Sequence, residues 1–324
     1  MHQLSRRRFF ESLAAAAGAA APVAAFAQED PIIRVTTREV VLHATVLDKS
    51  GHLITTLGRE AFSVLENGVP QPLNGFKRED VPVSLGIVID NSGSMRDKRT
   101  KVAAAALTLV KESNTQDEMF IVNFNDEAYL DQTFTSDHAK LEEALSKIDS
   151  RGGTAMRDAT TMSMDYLKEK GKKAKKVLLV VSDGEDNTSA PTNTLEKLVA
   201  KAQQSQCLIY AIGVFTDEER GKAKRAERAL NALANATGGL AYFPKELTDI
   251  EKLARQVAHE IRNQYILSYR PTNEALDGSF RRIQVLAKGP NRPVVRTRSG
   301  YYSTPDQKEP TKLAPSALSN SLQP

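Results

Sequence analysis

Five oxygen-bearing side chains stand out by type and spacing. Asp90, Ser92 and Ser94 lie in the run Asp90-Asn91-Ser92-Gly93-Ser94, Thr154 follows Gly152-Gly153, and Asp183 opens Asp183-Gly184-Glu185-Asp186. Together they offer two carboxylates and three hydroxyls. An all-oxygen donor set suits a hard cation, Mg²⁺ first with Ca²⁺ or Mn²⁺ as alternatives, and argues against zinc. Two carboxylates roughly neutralise a divalent ion, and hydroxyls add no charge. Such an ion stays electrophilic, and a carboxylate brought by a partner fits its open position. A hydrolytic two-metal centre would normally carry more acidic ligands. Glu185 and Asp186 beside Asp183 are candidates for a rim that tunes the site or touches a ligand, and a solvated loop is their plainer reading.

The elements that must position these residues alternate. Val83-Ser84-Leu85-Gly86-Ile87-Val88-Ile89-Asp90 is nearly continuous apolar sequence, as a strand buried on both faces requires. Further strands are predicted over 118–124, 176–182, 207–214 and 240–243. Helices are predicted over 98–112, 137–148, 157–168, 195–204, 219–236 and 246–261. The alternation implies parallel crossovers and a sheet covered by helices on both faces. Asp90 and Asp183 then fall at carboxyl ends of strands, where open α/β sheets form their ligand crevice at the point of strand-order reversal.

The flanks read differently. Residues 34–48 are rich in β-branched types, Phe62-Ser63-Val64-Leu65-Glu66 closes on the turn signal Asn67-Gly68, and 73–78 form a third candidate strand. After Arg262 the alternation returns in Tyr265–Arg270, 281–287 and 294–298. Each flank is too small for a core of its own. The expected fold class is therefore α/β, a doubly wound, mostly parallel sheet over 83–262. It is inserted into a small all-β sandwich in which 31–80 packs with 263–303. Residues 304–324, rich in Pro, Ser, Lys and Gln, are expected to be a disordered tail.

Composition narrows the function classes. With 44 basic and 40 acidic side chains the formal charge is +4. It falls to about +2 without residues 1–27, which gives no reason to expect nucleic acid as a partner. No apolar run is long enough for a membrane-spanning helix. The single cysteine, Cys207, excludes an internal disulfide framework and a cysteine-based zinc site, and is expected to be buried and inert. The basic run 168–176 reads as an exposed helix end and turn. No histidine lies near the Ser/Asp loops, and neither a G-x-S-x-G elbow nor a phosphate-binding P-loop is present. An aspartyl phosphatase would need a second Asp two residues after Asp90, where Ser92 stands, and a lysine as charge partner, which the loop itself does not supply.

Two resemblances add to this reading. Ser5-Arg6-Arg7-Arg8-Phe9-Phe10, the Ala-rich stretch to Ala25 and Ala25-Phe26-Ala27 resemble a twin-arginine export signal over 1–27, with cleavage before Gln28. Phe10 and Glu11 depart from the commoner Leu and Lys. That likeness implies an exported protein, periplasmic or extracellular. Residues 83–262 resemble a von Willebrand factor type A (VWA) domain. Asp90-x-Ser92-x-Ser94, Thr154 and Asp183 match its metal-ion-dependent adhesion site (MIDAS) at all five positions. The flanks, with 62–68, Phe280-Arg281 and Gly300-Tyr301-Tyr302, resemble bacterial proteins related to that domain. The resemblance implies Mg²⁺-dependent binding of a protein that presents an Asp or Glu carboxylate, without catalysis. The alternatives are a Mg²⁺-dependent hydrolase or phosphatase on the same sheet, and a metal-independent structural protein of the cell envelope.

Overall fold

Residues 39–78, 80–146, 150–215, 220–290 and 292–304 are described by a computed structural model. The export segment over 1–27, the start of the first predicted strand and residues 305–324 lie outside the described residues. Four strands come first: β1 (Val40–Leu47), β2 (Phe62–Glu66), β3 (Val69–Gln71) and β4 (Leu73–Lys77). The α/β stretch follows with β5 (Val83–Asp90), α1 (Arg99–Lys111), β6 (Glu118–Phe124), β7 (Ala128–Thr135), α2 (His138–Ser146) and α3 (Met156–Lys170). It continues through β8 (Lys175–Ser182), α4 (Leu195–Ser205), β9 (Leu208–Gly213), α5 (Arg220–Thr237), β10 (Ala241–Tyr242) and α6 (Ile250–Arg262). Four more strands follow within the described residues: β11 (Tyr265–Tyr269), β12 (Phe280–Ala287), β13 (Val294–Arg296) and β14 (Gly300–Tyr302).

The central sheet has six strands in the order β10-β9-β8-β5-β6-β7, parallel except for β7. All eight residues of β5 are buried because helices cover both faces of the sheet. Leu85, Ile87 and Ile89 face one core with α1, α2 and α6, and Val88 faces the other with α3, α4 and α5. The helices supply matching stripes. Met156, Ala159, Thr160, Ser163, Met164 and Leu167 of α3 are buried at the spacing of one helical face. Gly86 is required by packing: a Cβ there would lie 2.3 Å from the Phe120 ring and 2.4 Å from Leu178. Phe120 fills that space and meets Phe134 and Tyr166 edge-on, each at 4.9 Å between ring centroids.

Strand β7 was not foreseen. It is antiparallel, sits at the sheet edge and is half exposed, with Tyr129 and Leu130 in solvent. An edge strand needs only one apolar side, so its sequence carries no continuous run.

The flanks form two antiparallel sheets that each mix N- and C-terminal strands, β13-β1-β11-β4 and β14-β12-β2-β3. Val40 pairs with Tyr269 and Ala44 with Tyr265; in the other sheet Val64 pairs with Val285. Their inner faces share one core built from Val40, Leu42, Phe62, Val64, Tyr265, Leu267, Ile283 and Val285, among others. Burying each large side chain of this kind contributes about 1.5–3 kcal/mol, which neither flank could gather alone. The β2–β3 turn is Asn67-Gly68 with φ of 49° and 83°, the left-handed pair that a two-residue hairpin needs.

The sandwich sits at the amino ends of the central strands. A cavity of about 110 Å³ between them is lined by His43 and Ile266 on one side and by Lys175, Cys207 and Leu208 on the other. Cys207 is buried, and burial pushes its thiol pKa up. The expectation of an exposed turn over 168–176 is corrected at its end. Lys175 is 3% exposed, and Nζ of Lys176 donates to the carbonyls of Leu167 and Gly171. No helix among the described residues is long and apolar enough to cross a membrane.

Candidate metal centre

At the opposite end of the sheet, β5 and β8 lie side by side although a crossover separates them in sequence. Chain order reverses there: β6 and β7 extend one side of β5, and β8, β9 and β10 the other. Two loops leave the carboxyl ends of β5 and β8, and the 150–155 loop that leads into α3 is stitched to them. The Gly93 amide donates to the Gly152 carbonyl at 3.1 Å, and the Arg151 amide to the Asn91 carbonyl at 3.0 Å. The Thr154 amide donates to Asn187 Oδ1 at 2.8 Å, and its carbonyl accepts from the amides of Asn187 and Thr188.

The five sequence-selected residues divide between these loops. Asp90 ends β5 and is 1% exposed. Its Oδ1 accepts from the Ser92 amide at 2.9 Å, and its Oδ2 from the Ser182 hydroxyl at 2.6 Å. The hydroxyls of Ser92 and Ser94 are 3.1 Å apart, and Ser94 Oγ donates to Asp183 Oδ1 at 2.8 Å. Thr154 lies beside Gly184, where an added Cβ would come within 3.6 Å of its hydroxyl. Asp90, Ser92, Thr154 and Asp183 are buried and Ser94 is exposed, so the cup has a buried floor and one wet edge.

Its electrostatics are set by two buried carboxylates and one lysine. Burial is the main cause that pushes the Asp90 carboxyl up to about 6; the hydrogen bonds from Ser182 and Ser92 oppose it, and the neighbouring Asp183 charge adds to it. A divalent ion held among these oxygens would relieve both the burial and the repulsion, so the residues fit the group. No group of three or more His, Cys, Asp and Glu side chains that could hold a metal occurs among the described residues, so the cup's donor set rests on two carboxylates and hydroxyls.

The two rim candidates differ. Glu185 is partly exposed and pairs with Arg225 at 2.6 Å. Asp186 turns inward: its carboxylate accepts from the Arg157 amide at 2.6 Å and the Ser189 hydroxyl at 2.7 Å, and pairs with the Arg157 guanidinium at 2.9 Å. It thus braces the start of α3 rather than facing a ligand. Sequence reasoning did not select three residues that build the cup. Ser182 orients Asp90, and Asp126 accepts from the Gly153 amide at 2.8 Å. Lys98 donates to Asp183 Oδ2 at 2.5 Å. Lys98 lies outside the three loops and reaches Asp183 from the turn just before α1.

Comparison with known proteins places this stretch. A model of the von Willebrand factor type A domain matches residues 85–185. Inter-alpha-trypsin inhibitor heavy chain H4 of Sus scrofa is 27% identical over 220 residues, which is 62% of this chain. The chain spans 23% of the length of that relative. Among solved structures, a von Willebrand factor type A protein from Catenulispora acidiphila is 13% identical, covering 84% of this chain and 76% of that one at a TM-score of 0.48. Proximal thread matrix protein 1 from the mussel byssus, with a zinc-occupied MIDAS motif, is 16% identical, covering 60% of this chain and 49% of that one at a TM-score of 0.47. Neither structural likeness is close enough to carry a site across. The match over 85–185 covers β5 from Leu85 onward, all of β8 and the five selected residues, and over this stretch the chain is similar to a von Willebrand factor type A domain.

Proposed function

We propose that this protein is an exported, metal-dependent protein-binding module. Asp90, Ser92, Ser94 and Thr154 hold one Mg²⁺, with Asp183 acting directly or through water; Ca²⁺ or Mn²⁺ suit the same oxygens. The ion supplies an electrophilic position for the carboxylate of a partner's Asp or Glu. The chain's own residues fix the loops, keep two carboxylates together out of water and leave Ser94 at the wet edge. The carrying observation is the pair of buried carboxylates bridged by serine hydroxyls at the switch point of the sheet. Lys98 answers one of the two charges, and the other is costly unless a further cation answers it. Export rests on residues 5–27, where the paired arginines, the mildly apolar stretch and Ala25-Phe26-Ala27 follow in the order of a twin-arginine signal. The phosphatase alternative lacks its second acid, since the Ser92 hydroxyl stands where that group would be.

Calorimetric titration of the folded protein with Mg²⁺ tests the metal, and capture from envelope extract with Mg²⁺ or with chelator tests the partner. Asp90→Ala and chelation are both expected to abolish capture while leaving far-UV helix signal and solubility intact. Equal capture of the same partners by the wild type, the variant and the chelated protein would make a metal-independent structural role the better reading.

A further inference from the structure

We propose that Lys98 is a fixed positive charge that weakens the cup's hold on metal and, by the same charge, makes the loaded cup attractive to one carboxylate. This rests on the metal reading above and names the residue that sets its ligand preference. The Lys98 and Asp183 side chains are 6% and 0% exposed, and their charged atoms meet at 2.5 Å. The lysine is anchored by backbone as well. Its amide donates to the Met95 carbonyl, and its carbonyl accepts from the amides of Lys101 and Val102 as α1 begins. Asp183 keeps its other oxygen for Ser94.

Of the other ionic groups near the cup, Glu185 pairs with Arg225 and Asp186 with Arg157, while Asp126 is exposed to solvent and accepts from the Gly153 amide. The floor therefore carries Asp90, Asp183 and Lys98, a net charge of −1 when all three are ionised. A divalent ion brings that to +1, and one incoming carboxylate cancels it. With a neutral residue at 98, two carboxylates would already balance the ion. Metal would bind more tightly, and the loaded cup would lose its net attraction for an anion. Among buried groups a unit charge beside a divalent ion changes affinity by about tenfold or more.

The test uses the full chain as wild type, Lys98→Met and Lys98→Arg, with far-UV spectra confirming the fold. Mg²⁺ affinity is read by calorimetry. Acetate binding to the Mn²⁺-loaded protein is read from broadening of the acetate methyl resonance. Lys98→Met is expected to bind Mg²⁺ about tenfold or more tightly and acetate more weakly, whereas Lys98→Arg keeps wild-type behaviour in both. If wild type and Lys98→Met bind Mg²⁺ equally, or the variant binds it more weakly, the charge role is overturned while the metal reading stands. If Lys98→Arg shifts metal affinity as far as Lys98→Met, the lysine acts by shape and the proposal also falls. Absence of Mg²⁺ binding by the wild type overturns the metal reading and this proposal together.

Discussion

Two places among the described residues bury both partners of a carboxylate–cation pair, and they are built to opposite ends. In the sandwich, Glu66 of β2 is 3% exposed. One of its oxygens accepts from Tyr269 at 2.8 Å and Tyr301 at 2.9 Å, and the other lies 3.7 Å from Arg281, itself 1% exposed. Glu66 comes from the N-terminal flank and its three partners from the C-terminal flank. The cluster is closed, and it ties the two flanks together. In the cup, Asp183 has one lysine and one serine, Asp90 has no cation of its own, and Ser94 opens to water. A buried ion pair alone therefore does not mark a site. What marks the cup is an excess of negative charge, on loops at strand ends, beside an open edge.

The largest effect should come from breaking the closed cluster. Arg281→Met leaves Glu66 buried without its cation and should lower stability by about 3–5 kcal/mol. Denaturant melts of the whole chain would show this, with Mg²⁺ affinity unchanged under native conditions. Equal destabilisation by Asp183→Asn would erase the contrast between the two regions. Next is Asp90→Ala. Loss of a supporting partner beyond the ligands costs about 10–100-fold in metal affinity, and loss of a carboxylate ligand should cost at least the upper figure. Mg²⁺ titration checks it, and the rise in melting temperature with Mg²⁺ should vanish too.

The joint between the regions offers a pH test. His43 of β1 has Nδ1 buried without a partner among the described residues. Burial, and then the charges of Lys175 and Arg298, press its pKa down from 6.5 to about 3. The folded state thus keeps His43 neutral while the unfolded chain takes up its proton near pH 6.5. Stability falls as pH drops from 6.5 toward 3, by about 1–2 kcal/mol by pH 5 from this group. His43→Leu should flatten that part of the stability–pH curve; an unchanged slope would assign the acid sensitivity to other groups. The smallest effect is expected from Ser92→Ala, which removes a neutral oxygen. It should weaken Mg²⁺ on the order of tenfold, at the low end for loss of a supporting group, without disturbing the sandwich.

Periodicity by itself determined the layers. Continuous apolar runs such as 83–90 and 118–124 read as strands buried on both faces, and their alternation with helical stripes points to a doubly wound sheet. The all-oxygen residue set was equally legible, because Asp90-x-Ser92-x-Ser94 follows a strand and Thr154 and Asp183 each sit beside glycine in a loop. Strand β7 was hidden because an edge needs no strong pattern. Lys175 read as part of an exposed basic run, yet the sandwich covers it. The closed cluster was invisible for a related reason: Glu66 and Arg281 are separated by most of the chain and look like surface residues until two sheets meet over them. Tertiary structure alone decided which charges pair. Asp186 serves Arg157, Glu185 serves Arg225 and Lys98 serves Asp183, because strand order and helix docking set those distances. Residue type carries the chemistry a group can do, but its charge balance is a property of neighbours that only the fold brings within a few ångströms.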